Sequence, residues 1–577
     1  MPTLQRLLFA RYDLVDAEAL GCQPALLLEG SWPEGHDVPG RHSLDAAIDA
    51  AFAWIDSTAS ALAETWAGPG RVADLNALAL RYYLVKLLRV VAYLTEVQPL
   101  VGGDRIELAA AARRDEDYAD LVVQLAHRAG ARCRVRWIER GRNGAERFPP
   151  NHLWRRIAGR LAGLLEPRGS GGVVFCGNPT LLGPVCREVL NRGVRAWWLF
   201  DRFSPGAWRR WRPRGCGQWV CDGSLGRDAR GTIYSARVGR VECRGVDLSL
   251  AVERFLLALR TTHGPRHARL LERLDNRFQR FRPATLVLGE DATPLARAAA
   301  AVARRYRVPS CVLQHGAPCC PFGFAPLAAD RILVWGESSA RQLIDWGVPQ
   351  QRIELAGSPW HEEFLASCNK NRESRDVTRK ARILLLATVP PRDDRPDAVQ
   401  LHLTTKSYRE MVEMALSAVS VIPGAELTVK LHPRSPDDPL IRAALARFAG
   451  LKSQVVSGPL DRHLAEADCV LSCMSSAGVD AALAGLPVIQ LLPAGSGSIL
   501  RHTNWGLHGT ARTAQELADQ LAQVLAGDTA PPGPLPNIFH RLDGATAARI
   551  AGRILAMGVT VSRAGRAQRA TPESVRT

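Results

Sequence analysis

Short apolar runs that stop at a glycine, serine or proline turn, each followed by a stretch of helical length, recur between residues 171 and 492. Strands that alternate with helices in this way form parallel sheets, with the helices covering the faces. Gly171–Pro179 is a buried strand ending in Gly177-Asn178-Pro179, followed by a helix to Arg192 and the strand Val194–Phe200. Ala284–Gly289 ends at Glu290-Asp291 and leads through a helix, Pro294–Tyr306, to the strand Pro309–Gly316. Ala329–Trp335 and Ile353–Pro359 continue the pattern, and the second of these closes at Gly357-Ser358-Pro359.

A second series begins at Ala381–Ala387. In Glu426–Leu431 polar and apolar residues alternate, as in a strand with one buried face. It stops at His432-Pro433, because proline lacks an N–H and restricts the residue before it. The strand Asp468–Ser472 leads into Cys473-Met474-Ser475-Ser476 and a helix, and Leu486–Leu492 follows. The expectation is an α/β chain of two facing Rossmann-like domains with a helical N-terminal extension. The boundaries expected are a helical region over 1–100, an acceptor-side domain over 101–330, a nucleotide-donor domain over 331–556 and a basic disordered tail over 557–577. Residues 366–381 are polar and charged and are expected to form a linker.

In open α/β sheets, ligands bind beyond the carboxyl ends of the strands. Four such ends carry reactive or phosphate-compatible groups: Glu290-Asp291, Gln314-His315-Gly316, Lys430 with His432-Pro433, and Ser475-Ser476. Two belong to each predicted sheet, so facing sheets would bring them into one cleft. A carboxylate or an imidazole can serve as a general base, which makes Asp291 and His315, with Glu290 beside them, the catalytic candidates. A serine pair at a helix start suits a phosphate, because the free N–H groups and the helix dipole favour an anion. The Gly177-Asn178 turn is expected on the acceptor side.

From about residue 284 to 549 the chain resembles the GT-B glycosyltransferases that use cytidine-nucleotide donors. It is nearest in pattern to CDP-glycerol glycerophosphotransferases and to bacterial capsule and lipopolysaccharide Kdo- and sialyltransferases. The matching stretches are Gln314-His-Gly316, Asp330–Gly336, Gln351–Pro359, Lys430-Leu-His-Pro433, Ala467–Ser476 and Gly485-Leu-Pro-Val488. The resemblance implies a GT-B fold and a nucleotide held mainly by the second domain. His432 and Pro433 would lie near the ribose and base, Ser475 and Ser476 on the phosphate, with Lys430, Gly357 and Ser358 in the same site. Gln314 and Gly316 would lie on the acceptor side. It further implies no metal and no cofactor beyond a nucleotide-activated sugar, CMP- or CDP-linked, as co-substrate. Cys473-Met474 stands where the glycerophosphotransferases tend to have an acidic-aromatic pair.

The expected partners are that donor, a glycan or lipid-linked glycan acceptor, and an anionic membrane surface. The formal charge of +17 is carried by arginine, since only six of 74 basic residues are lysines. Such charge suits an anionic leaflet or phosphorylated substrates, and nucleic acid is not expected. Trp198, Trp208, Trp211 and Trp219 lie among arginines; with no helical or strand period organising them they are expected to be partly buried in a loop-rich insertion, the alternative being a lipid- or nucleic-acid-binding surface. The thirteen cysteines contain no Cys-x-x-Cys pair and are expected to be reduced thiols. Cys216, Cys221 and Cys243 are a weak zinc possibility because tighter spacing is usual. The start is too short and too soon charged for a signal peptide, and Tyr82–Val101 is interrupted by Lys86, Arg89 and Glu96. A cytoplasmic enzyme, peripheral at the inner face of a bacterial membrane, is therefore expected. The alternatives are a sugar-nucleotide epimerase of the same architecture and a non-catalytic nucleic-acid- or membrane-binding scaffold.

Overall fold

The structure, a computed structural model, describes residues 4–8, 54–62, 71–97, 105–111, 116–128, 130–138, 171–221 (except 202, 203, 212 and 213), 238–372 (except 244, 319 and 320), 381–390, 405–492 (except 434 and 474), 507–527, 535 and 537–569. A small parallel sheet comes first, in the order β1 (Leu4–Leu8), β2 (Arg105–Ala111) and β3 (Arg132–Ile138). The helices Arg71–Val97 and Glu116–Arg128 accompany it. The domain expected over 101–330 is corrected at this end: β2 and β3 pair with β1, outside the large sheet. The region over 1–100 contains a strand beside the expected helices, at 54–62 and Arg71–Val97, and its other residues lie outside the described ones.

The large first sheet contains β4 (Val173–Cys176), β5 (Ala196–Phe200), β6 (Gly217–Val220), β9 (Thr285–Leu288), β10 (Ser310–Leu313), β11 (Arg331–Val334) and β12 (Ile353–Leu355). A short antiparallel pair, β7 (Glu242–Cys243) and β8 (Val246–Asp247), stands apart. The order β12-β11-β10-β9-β4-β5-β6 runs outward in both directions from the β4–β9 pair. That pair is the topological switch point, where a crevice opens beyond the strand ends. β4, β9 and β10 are buried along their whole length, as a parallel sheet covered on both faces requires. Side chains alternate between the two layers. Val174, Leu286 and Leu288 pack with Leu274, Phe278 and Phe281 of the helix Gly264–Phe281, while Val173, Phe175 and Val287 pack with Val185, Val189, Ile550 and Ile554.

Two boundaries move. β11 and β12 complete the first sheet, so its unit extends past 330 to 355. The last helix, Thr546–Arg569, packs back on the helix Pro179–Asn191 and on β9. It replaces the disordered tail expected from 557 as far as Arg569, and residues 570–577 lie outside the described residues. Trp197, Trp198, Trp211 and Trp219 are all fully buried in the layers on either side of β5. The tryptophan–arginine alternation is therefore core packing at these positions, in line with the buried tryptophans expected and against the alternative of a binding surface. The side chain of Trp208 is outside the described residues.

The second sheet is also wholly parallel: β15 (Ser453–Val456), β14 (Glu426–Lys430), β13 (Arg382–Leu386), β16 (Cys469–Cys473), β17 (Val488–Leu491) and β18 (Gly509–Ala511), in that spatial order. Its switch point lies between β13 and β16. Between the sheets runs the helix Pro359–Arg372, which takes in 366–372 of the expected linker; 373–380 are outside the described residues. Ala317, just beyond β10, and Trp335, just beyond β11, share one buried cluster with Ala387, Leu431 and Cys473 at the ends of β13, β14 and β16. The carboxyl ends of the two sheets thus face each other.

Candidate functional site

At the first switch point the backbones of the two central strand ends nearly touch. A Cβ on Gly177 would lie 2.9 Å from the amide nitrogen of Gly289, and Gly177 has φ +142°. Only glycine permits that approach at that angle. Asn178 caps the helix Pro179–Asn191, its Oδ1 accepting the Thr180 N–H at 2.9 Å. Both residues of this expected acceptor-side turn therefore have a local structural task.

Glu290 is half-buried and Asp291 is 2% exposed. Asp291 Oδ2 accepts the N–H groups of Ala328 and, at 3.1 Å, Ala329. Burial raises its pKa, against the opposing pull of Arg297, the two amides and His315. The segment it clasps is held along its other edge by arginines, which donate to five successive carbonyls. Arg81 reaches Ala325 O at 2.9 Å, Arg297 reaches Pro326 O at 2.9 Å, and Arg304 reaches Ala328 O at 2.7 Å. Arg352 reaches Leu327 O at 3.1 Å and also Ala329 O. The several donors and fixed plane of guanidinium suit it to this role. Asp291 is thereby an anchor of the wall.

Gln314 is equally committed. Its Nε2 donates to Gly316 O and Ser339 Oγ, both at 2.9 Å, its Oε1 accepts Trp335 N–H at 2.7 Å, and its carbonyl accepts Trp335 Nε1 at 3.1 Å. These bonds fasten β10 to β11. His315 differs: it is exposed and stacks on Phe324, with ring centroids 4.6 Å apart and planes 10° from parallel. A Cβ on Gly316 would meet nothing within 4 Å, so the space beside His315 is open.

The second-sheet ends form a cradle. Lys430 is 7% exposed and Nζ donates to Leu431 O at 3.3 Å; burial lowers its pKa. His432 is half-buried, its carbonyl accepting Ser435 N–H at 2.9 Å, and Pro433 is exposed. Ser472 Oγ, at the end of β16, shapes the serine turn: it accepts Ser475 N–H at 3.3 Å and donates to Ser475 O at 3.1 Å. Ser475 Oγ accepts Ala477 N–H at 3.3 Å. Ser476 is exposed and makes no side-chain capping bond. A Cβ on Gly478 would come within 2.9 Å of Ser472 Oγ, so glycine lets the following helix start sit against the strand end.

Three consecutive side chains on the helix Pro359–Arg372 join different parts of the molecule. His361, 1% exposed, has Nε2 2.9 Å from Asp480 Oδ1 and Nδ1 2.5 Å from Ser358 Oγ. Its ring lies among Trp335, Trp360 and Phe539. Glu362 accepts the N–H groups of Gly544 at 3.0 Å and Thr546 at 3.1 Å, capping the returning helix. Glu363 pairs with Arg187 on the first-sheet side. Gly357 has φ +84°, and a Cβ there would stand 2.4 Å from His540 O. Of the two residues expected on the nucleotide, Gly357 lies against the His540 carbonyl and Ser358 Oγ against His361 Nδ1. Sequence reasoning passed over His361 and Asp480; the available signal was a histidine three residues after Ser358, on the first turn of a helix that follows a strand-end turn.

Among the described residues no group of three or more histidine, cysteine or acidic side chains could hold a metal ion. Cys216, Cys221 and Cys243 belong to three separate core clusters, so they do not converge on a zinc site. Among the described residues no helix is long and apolar enough to cross a membrane.

Two facing, wholly parallel Rossmann-like sheets, joined by an intervening helix and tied by a returning C-terminal helix, define an α/β, GT-B-like architecture. Among solved structures the chain is similar to the UDP-GlcNAc 2-epimerase of Neisseria meningitidis bound to UDP-GlcNAc, with 12% identity, TM-score 0.44, and coverage of 67% of this chain and 100% of that one. The UDP-GlcNAc 2-epimerase of Methanocaldococcus jannaschii, in complex with UDP-GlcNAc and UDP, shares 14% identity at TM-score 0.42, covering 67% and 99%. Anabaena Alr3699/HepE, in complex with UDP and glucose, shares 12% at TM-score 0.38, covering 68% and 98%. Likeness at this level carries no residue role across. No protein-family model and no curated protein matches the chain.

Proposed function

We propose that the chain transfers a sugar from a nucleotide-activated donor to a glycan or lipid-linked glycan acceptor. The observation that carries this reading is the contrast at the facing strand ends. Lys430, His432, Ser475 and Ser476 gather at the second switch point, opposite an exposed imidazole, His315, beside open space. In this reading Lys430 and the Ser476 hydroxyl meet the donor phosphate, and His432 with Pro433 flanks the ribose and base. A buried ammonium stabilises a departing phosphate more strongly than an exposed one, because water screens it less. His315 takes the proton of the acceptor hydroxyl, while Asp291 holds the wall behind it. The motif resemblance favours a cytidine nucleotide. Arginine-borne charge would favour an anionic surface near a membrane-anchored acceptor.

Isothermal titration against CMP, CDP, UDP and GDP tests the reading. The expected result is binding of a cytidine nucleotide, weakened about tenfold in His432→Ala, which corresponds to about 1.4 kcal/mol. Binding of none of the four contradicts it. Incubation of the matching sugar nucleotide without acceptor separates transfer from its rival: accumulation of an epimerised sugar nucleotide would replace transfer with epimerisation.

A further inference from the structure

Arg81 and Tyr82, consecutive residues of the helix Arg71–Val97, each grip a different part of the surroundings of His315. Arg81 is 6% exposed; its guanidinium pairs with Asp56 and donates to Ala325 O at 2.9 Å. The residue before Ala325 is Phe324, the ring on which His315 stacks. Tyr82 Oη donates to Ala292 O at 2.9 Å. The residue before Ala292 is Asp291, which lies near enough to His315 for an imidazolium to favour its carboxylate. The Tyr82 ring also meets Phe322 edge-on, centroids 4.4 Å apart, in the same loop as Phe324.

We infer that Arg81 and Tyr82 are positioning residues for His315: the N-terminal region, which no part of the transfer reading uses, sets the ring platform on which this imidazole stacks and the segment that carries the nearby carboxylate. Consecutive helical residues point about 100° apart, so one helix can fix both sides of the histidine at once. Other charged groups facing this wall are Arg297, on the Pro326 carbonyl, Arg304, on the Ala328 carbonyl, and Arg352, on the Leu327 and Ala329 carbonyls. The functional weight of the inference rests on the reading of His315 as the base, but the structural coupling can be tested without it.

The same helix supplies a control. Tyr83 Oη donates to Ala251 O at 3.0 Å and its ring stacks on Phe255, away from the wall. Tyr82→Phe and Tyr83→Phe therefore make the same chemical change on neighbouring residues. The readout is modification by diethyl pyrocarbonate across a pH series, followed by mass spectrometry. In a tryptic digest, peptide 308–331 contains His315 as its only histidine. Tyr82→Phe is expected to change the His315 modification rate about threefold, or to move its midpoint by about half a pH unit. Tyr83→Phe is expected to leave both as in the parent, and nucleotide affinity is expected to hold in both variants. Arg81→Met with Asp56→Asn removes the second grip without stranding a buried charge and is expected to act in the same direction as Tyr82→Phe. Parental His315 profiles in folded Tyr82→Phe and in the double variant overturn the inference, as does an equal change in Tyr83→Phe. Nucleotide titration of the parent separately decides the transfer reading: an altered His315 profile in a chain that binds no nucleotide keeps the positioning and removes the function.

Discussion

The strand ends of the first sheet and those of the second carry similar side chains and use them differently. On the first, Asp291 and Gln314 are bound on several sides by their own chain, and five successive carbonyls from 325 to 329 are held by arginines. On the second, Lys430 Nζ donates to the Leu431 carbonyl at 3.3 Å, and Ser476 makes no side-chain capping bond. Buried polar groups normally find partners within the fold. A wall that satisfies its own groups is built for rigidity, and the proposed transfer reading asks the second-sheet ends to meet a ligand instead. Reactive residue types at strand ends therefore mark a place in the fold, and their hydrogen bonds decide which of them are available for chemistry.

The contrast is broken most severely at Asp291. Asp291→Ala leaves the Ala328 and Ala329 amides without their acceptor and removes a carboxylate near Arg297, and is expected to lower stability by about 3 kcal/mol in denaturant unfolding. A loss below about 0.5 kcal/mol would mean the wall does not depend on this clasp. Its pH dependence has a definite sign. The folded-state pKa lies above the unfolded value because burial disfavours the charged form. The folded state therefore binds the proton more tightly, and this group's contribution falls as pH rises through the window between the two values. The parent should lose that component above the ordinary carboxylate range, and Asp291→Asn should not.

Gly357→Ala is the next largest. The new methyl would meet His540 O at a left-handed backbone position, and about 2 kcal/mol of destabilisation is expected. Because this contact lies at the junction, thermal unfolding should also become less cooperative, which calorimetry would detect. On the cradle side, Lys430→Met removes a nearly buried charge. Stability at neutral pH is expected to stay level or rise by about 1 kcal/mol, while nucleotide affinity falls about tenfold. Loss of stability with unchanged affinity would place Lys430 with the wall. The smallest effect is expected from Ser476→Ala: unfolding within about 0.5 kcal/mol of the parent, with nucleotide affinity reduced severalfold in titration.

Much of this architecture was legible from local pattern. The strands ending at Gly177, Glu290, His315, His432 and Ser475 follow from apolar runs and their turn residues, since proline and glycine act locally. Which sheet a strand joins is a long-range matter. β11 and β12 read as strands, but the pairing of β11 with β10 and of β12 with β11 moved the boundary from 330 to 355. In the Trp198–Trp219 stretch β5 was legible as a strand and β6 was not, and only the packing shows that Trp197 and Trp219 fill one layer and Trp198 the other. His361 was illegible because a single histidine on a helix carries no periodic signal, and its partner Asp480 lies 119 residues away. The difference between Asp291 and His315 depends on hydrogen bonds and exposure, which residue type alone does not record.

Hydrogen–deuterium exchange with and without the tightest-binding nucleotide tests the division of wall and cradle most directly. The division predicts that added protection is greatest at 387–390, 430–433 and 472–478, and small at 324–329, where amides are already held. Protection centred on 324–329, with none at the ends of β14 and β16, would contradict it.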